Sequence, residues 1–236
     1  MWSPLLYVIC VGLVCRGQAA SSEQVVIKKV KDKVSLECPA VSDADEYKGV
    51  MWNKNTVAFL TSDRKQHVDY VSGTPSGRIS VDDQHKLTLR DLEMSDSGNY
   101  SCQIYVNKSG TLEPRETAYI LIVQDVPGAP GKPTVKDIQS RQAAITWAPS
   151  NANNSPVTAY VLNVRDCQTD TTTIDLVLSN ESSTVTVDGL SPFRCYTARV
   201  AAVNAVGKGS LSDASDPFYT TEEDLGDVNS TAVVMD

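Results

Sequence analysis

Two cysteines and a tryptophan restrict this chain more than anything else in it. Cys38 closes the run Val34-Ser35-Leu36-Glu37-Cys38, in which Val34, Leu36 and Cys38 fall on one face of an extended strand. Trp52 follows fourteen residues later, and Cys102 stands sixty-four residues after Cys38. Cys102 ends the stretch Asp96-Ser97-Gly98-Asn99-Tyr100-Ser101-Cys102, with Tyr100 two positions before it. From there the alternation continues. Tyr100, Cys102, Ile104 and Val106 share one face, and Asn99, Ser101, Gln103 and Tyr105 share the other. Period-two patterning of this kind describes strands with one buried side, so the chain reads as all-β.

The Cys…Trp…Cys frame and the Asp-x-Gly-x-Tyr-x-Cys pattern resemble an immunoglobulin domain of the V or I set over residues ~24–124. The resemblance implies a Cys38–Cys102 disulfide between two sheets, with the Trp52 indole packed on it and Tyr100 as a tyrosine corner. It also implies that Arg78, opening a strand, pairs with Asp96 to close one end of the sandwich. Expected strands are Gln24–Val30, Val34–Cys38, Val50–Asn53, Val57–Leu60, Arg78–Val81, Leu87–Leu89, Tyr100–Val106 and Ala118–Val123. A small hairpin is expected around His67–Val71, within the long polar segment from Thr61 to Gly77. The last strand lacks the Phe-Gly-x-Gly bulge of antibody variable domains.

Residues 125–133 are rich in proline and glycine and read as a short, semi-rigid linker. After it the pattern changes. A strand ends at Trp147 where the first domain has a cysteine, and Tyr160, Leu162 and Val164 alternate. The run Leu190-Ser191-Pro192…Tyr196 precedes a long alternating strand ending in Asn204 and a Gly207-Lys208-Gly209 turn. Residues 134–220 resemble a fibronectin type III domain on these features, with Trp147 and Tyr196 in its core. Most such domains lack a disulfide. This one carries Cys167 after one strand and Cys195 at the start of its antiparallel neighbour in that fold, so the resemblance implies a Cys167–Cys195 bridge. The expected architecture is two β-sandwiches in tandem.

The ends carry no domain. Leu5 to Val14 is an apolar run of signal-peptide length followed by small residues, so residues 1–20 read as a cleaved leader. The leader removes Cys10 and Cys15, and four cysteines remain, an even number suited to an oxidising compartment. Residues 221–236 read as an acidic, disordered tail. No later run is long and apolar enough to span a membrane. The expected location is therefore extracellular, as a secreted protein.

A net charge of −8, one more negative without Arg16, argues against nucleic acid as partner. The two histidines, His67 and His85, have no metal-ligand spacing around them. No nucleophile elbow, phosphate loop or dinucleotide fingerprint is present. No catalytic residue, cofactor or metal is expected, and the chain does not read as an enzyme. Five Asn-x-Ser/Thr sequons stand at Asn99, Asn107, Asn153, Asn180 and Asn229. Asn107, Asn153 and Asn180 are expected in reachable loops, and Asn99, on a strand end, ranks behind them. The resemblance points to the outer face of the first domain, with Met51, Asn53, Gln103 and Tyr105, as a protein-binding surface. The functions it implies are cell adhesion or surface recognition, with like or unlike partners. A soluble decoy for a receptor or growth factor is the alternative, and a muscle-type structural protein a weaker one.

Overall fold

The alternating runs become strands because each lets one set of side chains leave water while the backbone hydrogen bonds to its neighbours. The structure, a computed structural model, describes residues 23–39, 46–63, 68–70, 77–179 and 182–223. The expected leader, Asn180, Asn229 and the acidic run beyond Glu223 lie outside these residues.

Among the described residues the first sandwich has nine strands: β1 (Gln24–Lys29), β2 (Val34–Leu36), β3 (Glu46–Lys54), β4 (Val57–Asp63), β5 (Val68–Tyr70), β6 (Ile79–Val81), β7 (Leu87–Leu89), β8 (Gly98–Lys108) and β9 (Thr111–Gln124). One sheet runs β1-β9-β8-β3-β4-β5 and the other β2-β7-β6. β1 pairs parallel to β9, so it joins the larger sheet and forms its edge. Trp52, Leu36, Leu60, Leu87, Leu92, Ile104 and Val106 are buried between the sheets. The Cys38 and Cys102 sulfurs are joined, with Cα atoms 5.4 Å apart. Tyr100 is buried, and its hydroxyl donates to the Asp96 carbonyl at 2.8 Å.

Two expectations about this sandwich change. The strand expected from Ala118 begins at Thr111, because Ser109 and Gly110 both take positive φ (53° and 86°) and turn the chain within two residues. Asn107 therefore sits on β8, paired with Leu112, and not in a loop. β4 runs on to Asp63 and pairs with β5, so the hairpin is larger than the one expected around His67–Val71. His67 and Val71 themselves lie outside the described residues.

The second sandwich holds β10 (Thr134–Lys136), β11 (Gln142–Thr146), β12 (Val157–Asp166), β13 (Thr172–Ser179), β14 (Thr184–Asp188), β15 (Cys195–Asn204), β16 (Lys208–Leu211) and β17 (Phe218–Tyr219). Its sheets run β10-β11-β14 and β13-β12-β15-β16, with β17 also on β15. β13 is an addition to the expected strands, and the Ile174, Leu176, Leu178 alternation is the signal that marks it. Trp147 and Tyr160 meet edge to face at 5.5 Å in the core. The Tyr196 hydroxyl accepts from the Ser191 amide at 3.0 Å. Asp166 lies opposite Tyr196 across β12 and β15, which brings Cys167 and Cys195 together as a disulfide with Cα atoms 5.3 Å apart.

Asparagines hold the linker to the second sandwich. Asn204 is buried and donates to the Asp125 carbonyl at 2.7 Å. Asn153 donates to the Val126 carbonyl at 2.7 Å, and Asn154 reaches past the linker to the Val123 carbonyl at the end of β9, at 2.9 Å. The Gly207–Gly209 turn lies against Val126 and Pro127, and a side chain at Gly209 would collide with the Pro127 carbonyl. At the far end, Arg141 pairs with Glu223 at 2.9 Å, so the first residues of the expected free tail lie on the domain.

Candidate functional site

The larger sheet of the first sandwich turns its outer face to solvent. Register decides which side chains meet there. Met51 on β3 lies between Thr61 on β4 and Gln103 on β8, and Gln103 faces Glu116 on β9. In the next row Asn53 faces Ser101, and Ser101 faces Ala118. Met51, Asn53, Ser101, Gln103, Glu116 and Ala118 line one shallow depression, with Asn99 at its end. Gln103 donates to the Glu116 carboxylate at 3.2 Å, which orients its amide within the sheet surface. Tyr105, two residues further along β8, stands 46% exposed and opposite Pro114.

Of the four residues expected here, Met51, Gln103 and Tyr105 present side chains to solvent or half-way to it. Asn53 differs. It is 7% exposed and donates to Ser101 Oγ at 3.3 Å, so it forms the floor and is not a projecting contact. A polar group already satisfied within the protein gains little from a partner.

Support for this face comes from below. Arg78 meets Asp96 through two hydrogen bonds, at 2.9 and 3.4 Å, and also donates to the Asp91 carbonyl at 2.9 Å. The carboxylate holds the guanidinium pKa above its ordinary value. Asp96 also accepts from the Glu93 amide at 2.8 Å, which shapes the turn leading into β8. Tyr100 titrates well above an ordinary tyrosine because it is buried, with the Asp96 charge adding to the effect. Lys54 reaches the Ser95 carbonyl at 2.7 Å and lies 5.6 Å from the Tyr100 ring. Burial draws its pKa down, against the pull of Asp96.

One residue with unusual chemistry escaped the sequence reading. His85 sits in the turn before β7 with φ of 60° and is buried. Its Nε2 lies 2.8 Å from the Tyr47 hydroxyl, its Nδ1 3.4 Å from Ser62 Oγ, and its carbonyl accepts from the Trp52 indole at 3.0 Å. Burial lowers its pKa below the ordinary histidine value, with Asp82 opposing. Nothing local announces this, since a histidine in a polar turn ordinarily faces water. Among the described residues, no three or more His, Cys, Asp or Glu side chains gather as they would around a metal ion.

The sequons divide by what their side chains already do. Asn107 donates to Glu46 at 3.3 Å and accepts from the Gly110 amide at 3.0 Å. Asn153, expected to be reachable, is half-buried and committed to Val126, and Ser155 of the same sequon is buried. That commitment arises because the linker runs alongside the loop that carries it, the Asp125 and Gly128 amides donating to the Asn153 and Asn151 carbonyls at 3.2 and 2.9 Å. Asn99 faces solvent.

Residues 25–113 match the immunoglobulin domain model, and residues 128–218 match the fibronectin type III domain model. The chain is an immunoglobulin domain followed by a fibronectin type III domain. Together the two matches cover most of it, and the immunoglobulin sheet continues past the matched end to Gln124. Among similar proteins, contactin-5 of Danio rerio is 28% identical over 198 residues, 82% of this chain and 18% of the relative. Contactin-4 of Rattus norvegicus is 27% identical over 225 residues, 87% and 21%. A putative receptor-type tyrosine-protein phosphatase of Aedes aegypti, mosPTP-1, is 30% identical over 199 residues, 80% and 14%. The chain thus spans about a fifth or less of the curated relatives named here. A crystal structure of domains from titin superposes with a TM-score of 0.50 at 20% identity, over 84% of this chain and 62% of that one, and shows the shared fold. No helix among the described residues is long and apolar enough to cross a membrane.

Proposed function

We propose that this protein is a secreted, extracellular recognition module that binds another protein through the outer face of its immunoglobulin domain, without catalysis. The observation that carries the reading is the depression between Met51, Gln103 and Glu116, flanked by the exposed ring of Tyr105. A half-exposed tyrosine beside a methionine and oriented amides matches the composition of interface centres. The contactin relatives, also chains that carry a matching immunoglobulin–fibronectin stretch, support a role in cell adhesion or surface recognition. The partner is a cell-surface or secreted protein, of the same or another kind.

The test is a screen of the full chain against cell-surface ectodomains, repeated with Tyr105→Ala and with Val177→Asp, which lies on the fibronectin domain. Tyr105→Ala should weaken capture by about 2 kcal/mol, roughly thirtyfold, with folding unchanged. Val177→Asp should leave capture intact. Loss with Val177→Asp and not with Tyr105→Ala would move the site to the second domain.

A further inference from the structure

The outer face of the immunoglobulin sheet has a second half, and it is apolar. Val26, Leu121 and Val123 take the inward positions of β1 and β9. Val25 and Ile27 therefore point out, 59% and 55% exposed, and Ile120 and Ile122 lie beside them in register. β1 is the edge of its sheet. An exposed row of β-branched side chains on an edge strand invites pairing with other chains, and stable proteins cover such edges.

Asn99 stands in the same row. Ile120 is paired with Val25 on one side and with Asn99 on the other. Asn99 opens the sequon Asn99-Tyr100-Ser101. Its backbone is pinned, since its amide donates to Asn55 Oδ1 at 2.9 Å and its carbonyl accepts from the Asn55 amide at 2.7 Å. Its side chain is exposed and makes no hydrogen bond among the described residues. Asn107 and Asn153, by contrast, spend their side chains on Glu46, Gly110 and Val126.

We propose that Asn99 carries an N-linked glycan whose innermost sugars lie on Val25, Ile27, Ile120 and Ile122 and close this edge. In the modification the Asn99 Nδ2 bonds to C1 of the first sugar of a lipid-diphosphate-linked oligosaccharide. The bond from C1 to the diphosphate oxygen breaks, the lipid diphosphate leaves with that electron pair, and the nitrogen gives up one proton. No oxidation or reduction occurs. The apolar C–H faces of the sugars meet the aliphatic row, while their hydroxyls stay in water. Gln103 lies four residues up β8, about 13 Å away, and Tyr105 about 20 Å. Asn99 also lines one end of the depression that holds Met51, Gln103 and Glu116, so the glycan borders that depression while extending over the aliphatic row, and Tyr105 stays clear of its attachment point. This proposal rests on the extracellular reading, because the oligosaccharide donor is met in the secretory pathway.

The experiment begins with the full chain expressed in mammalian cells from its own N-terminus. The sugars are removed from protein in the medium with a peptide-N-glycanase in ¹⁸O-water, which hydrolyses the side-chain amide and leaves an ¹⁸O-labelled aspartate at each occupied site, and the peptides are weighed. Asn99 should carry the isotope label. A secreted chain with Asn99 unlabelled overturns the proposal and leaves the extracellular reading standing. Chain found only inside cells overturns both. The second arm treats folded, secreted protein with the glycosidase and compares Asn99→Gln. Both should bind a hydrophobic dye more strongly and shift from monomer to larger species. Adding Val25→Thr and Ile27→Thr to Asn99→Gln should restore the monomer. Unchanged dye binding and size after the sugar is removed would overturn the covering role.

Discussion

His85 should make the immunoglobulin domain sensitive to mild acid. Its ring is buried against Tyr47 and Ser62, so the folded state disfavours the charged form, and its pKa lies below the unfolded value of about 6.5. Near and below pH 6.5 the unfolded chain then binds more protons at this site than the folded one. Stability from His85 is present above that pH and falls as pH drops from there toward the folded pKa. The loss grows by at most about 1.4 kcal/mol per pH unit. If the folded ring stayed neutral throughout, about 1.4 kcal/mol would be lost at pH 5.5. His85→Asn tests this, because asparagine tolerates the positive φ and keeps the carbonyl that Trp52 uses. Urea unfolding followed by tryptophan fluorescence would be measured at about pH 7.5 and 5.5 for both proteins. Asn should cost about 1–3 kcal/mol at the higher pH by removing the ring nitrogen that lies 2.8 Å from the Tyr47 hydroxyl. It should also reduce the stability difference between the two pH values, since the other titrating groups are shared. An unchanged difference would refute the reasoning.

Gly209→Ala should loosen the joint, because its Cβ would enter the space of the Pro127 carbonyl, and should lower stability by about 1–3 kcal/mol by calorimetry. Asn204→Ala removes donors to Asp125, Ala152 and Ser155 and the acceptor for Val206 and Gly207. It should cost about 3 kcal/mol in the fibronectin domain and widen the distribution of interdomain angles seen by solution scattering. Replacing Cys167 and Cys195 by serine opens a loop with a sequence separation of 28 and should lower that domain's stability by about 3.5 kcal/mol, leaving the immunoglobulin transition in place.

Much of the architecture was legible because its signals are local. Alternation around Cys38, Cys102, Tyr160 and Tyr196 states which side chains turn inward, and Gly and Pro mark where strands stop. The early start of β9 was hidden because Thr111-Leu112-Glu113-Pro114-Arg115 has no apolar alternation, and those residues are mostly exposed on a ribbon beyond the core. Asn153 looked like an ordinary loop residue, since its hydrogen-bond partner, Val126, lies twenty-seven residues earlier on the linker. The outer face was half legible. Outward positions on β8 could be read, but not that Asn53 would be sealed beneath Ser101.

By itself the sequence determined two β-sandwiches and the inward set of the strands that alternate, because a period of two is a property of neighbouring residues. Tertiary structure alone decided which strands lie side by side and at what offset. That offset sets His85 beneath Tyr47 and Ser62, and it puts Val25, Ile120 and Asn99 in one row. β1 and β9 come from opposite ends of the domain's sequence and pair in parallel within one sheet, so their register depends on which of their side chains pack into the core. A slip of one residue would turn Val25 inward and Val26 out, and the apolar edge beside Asn99 would no longer exist.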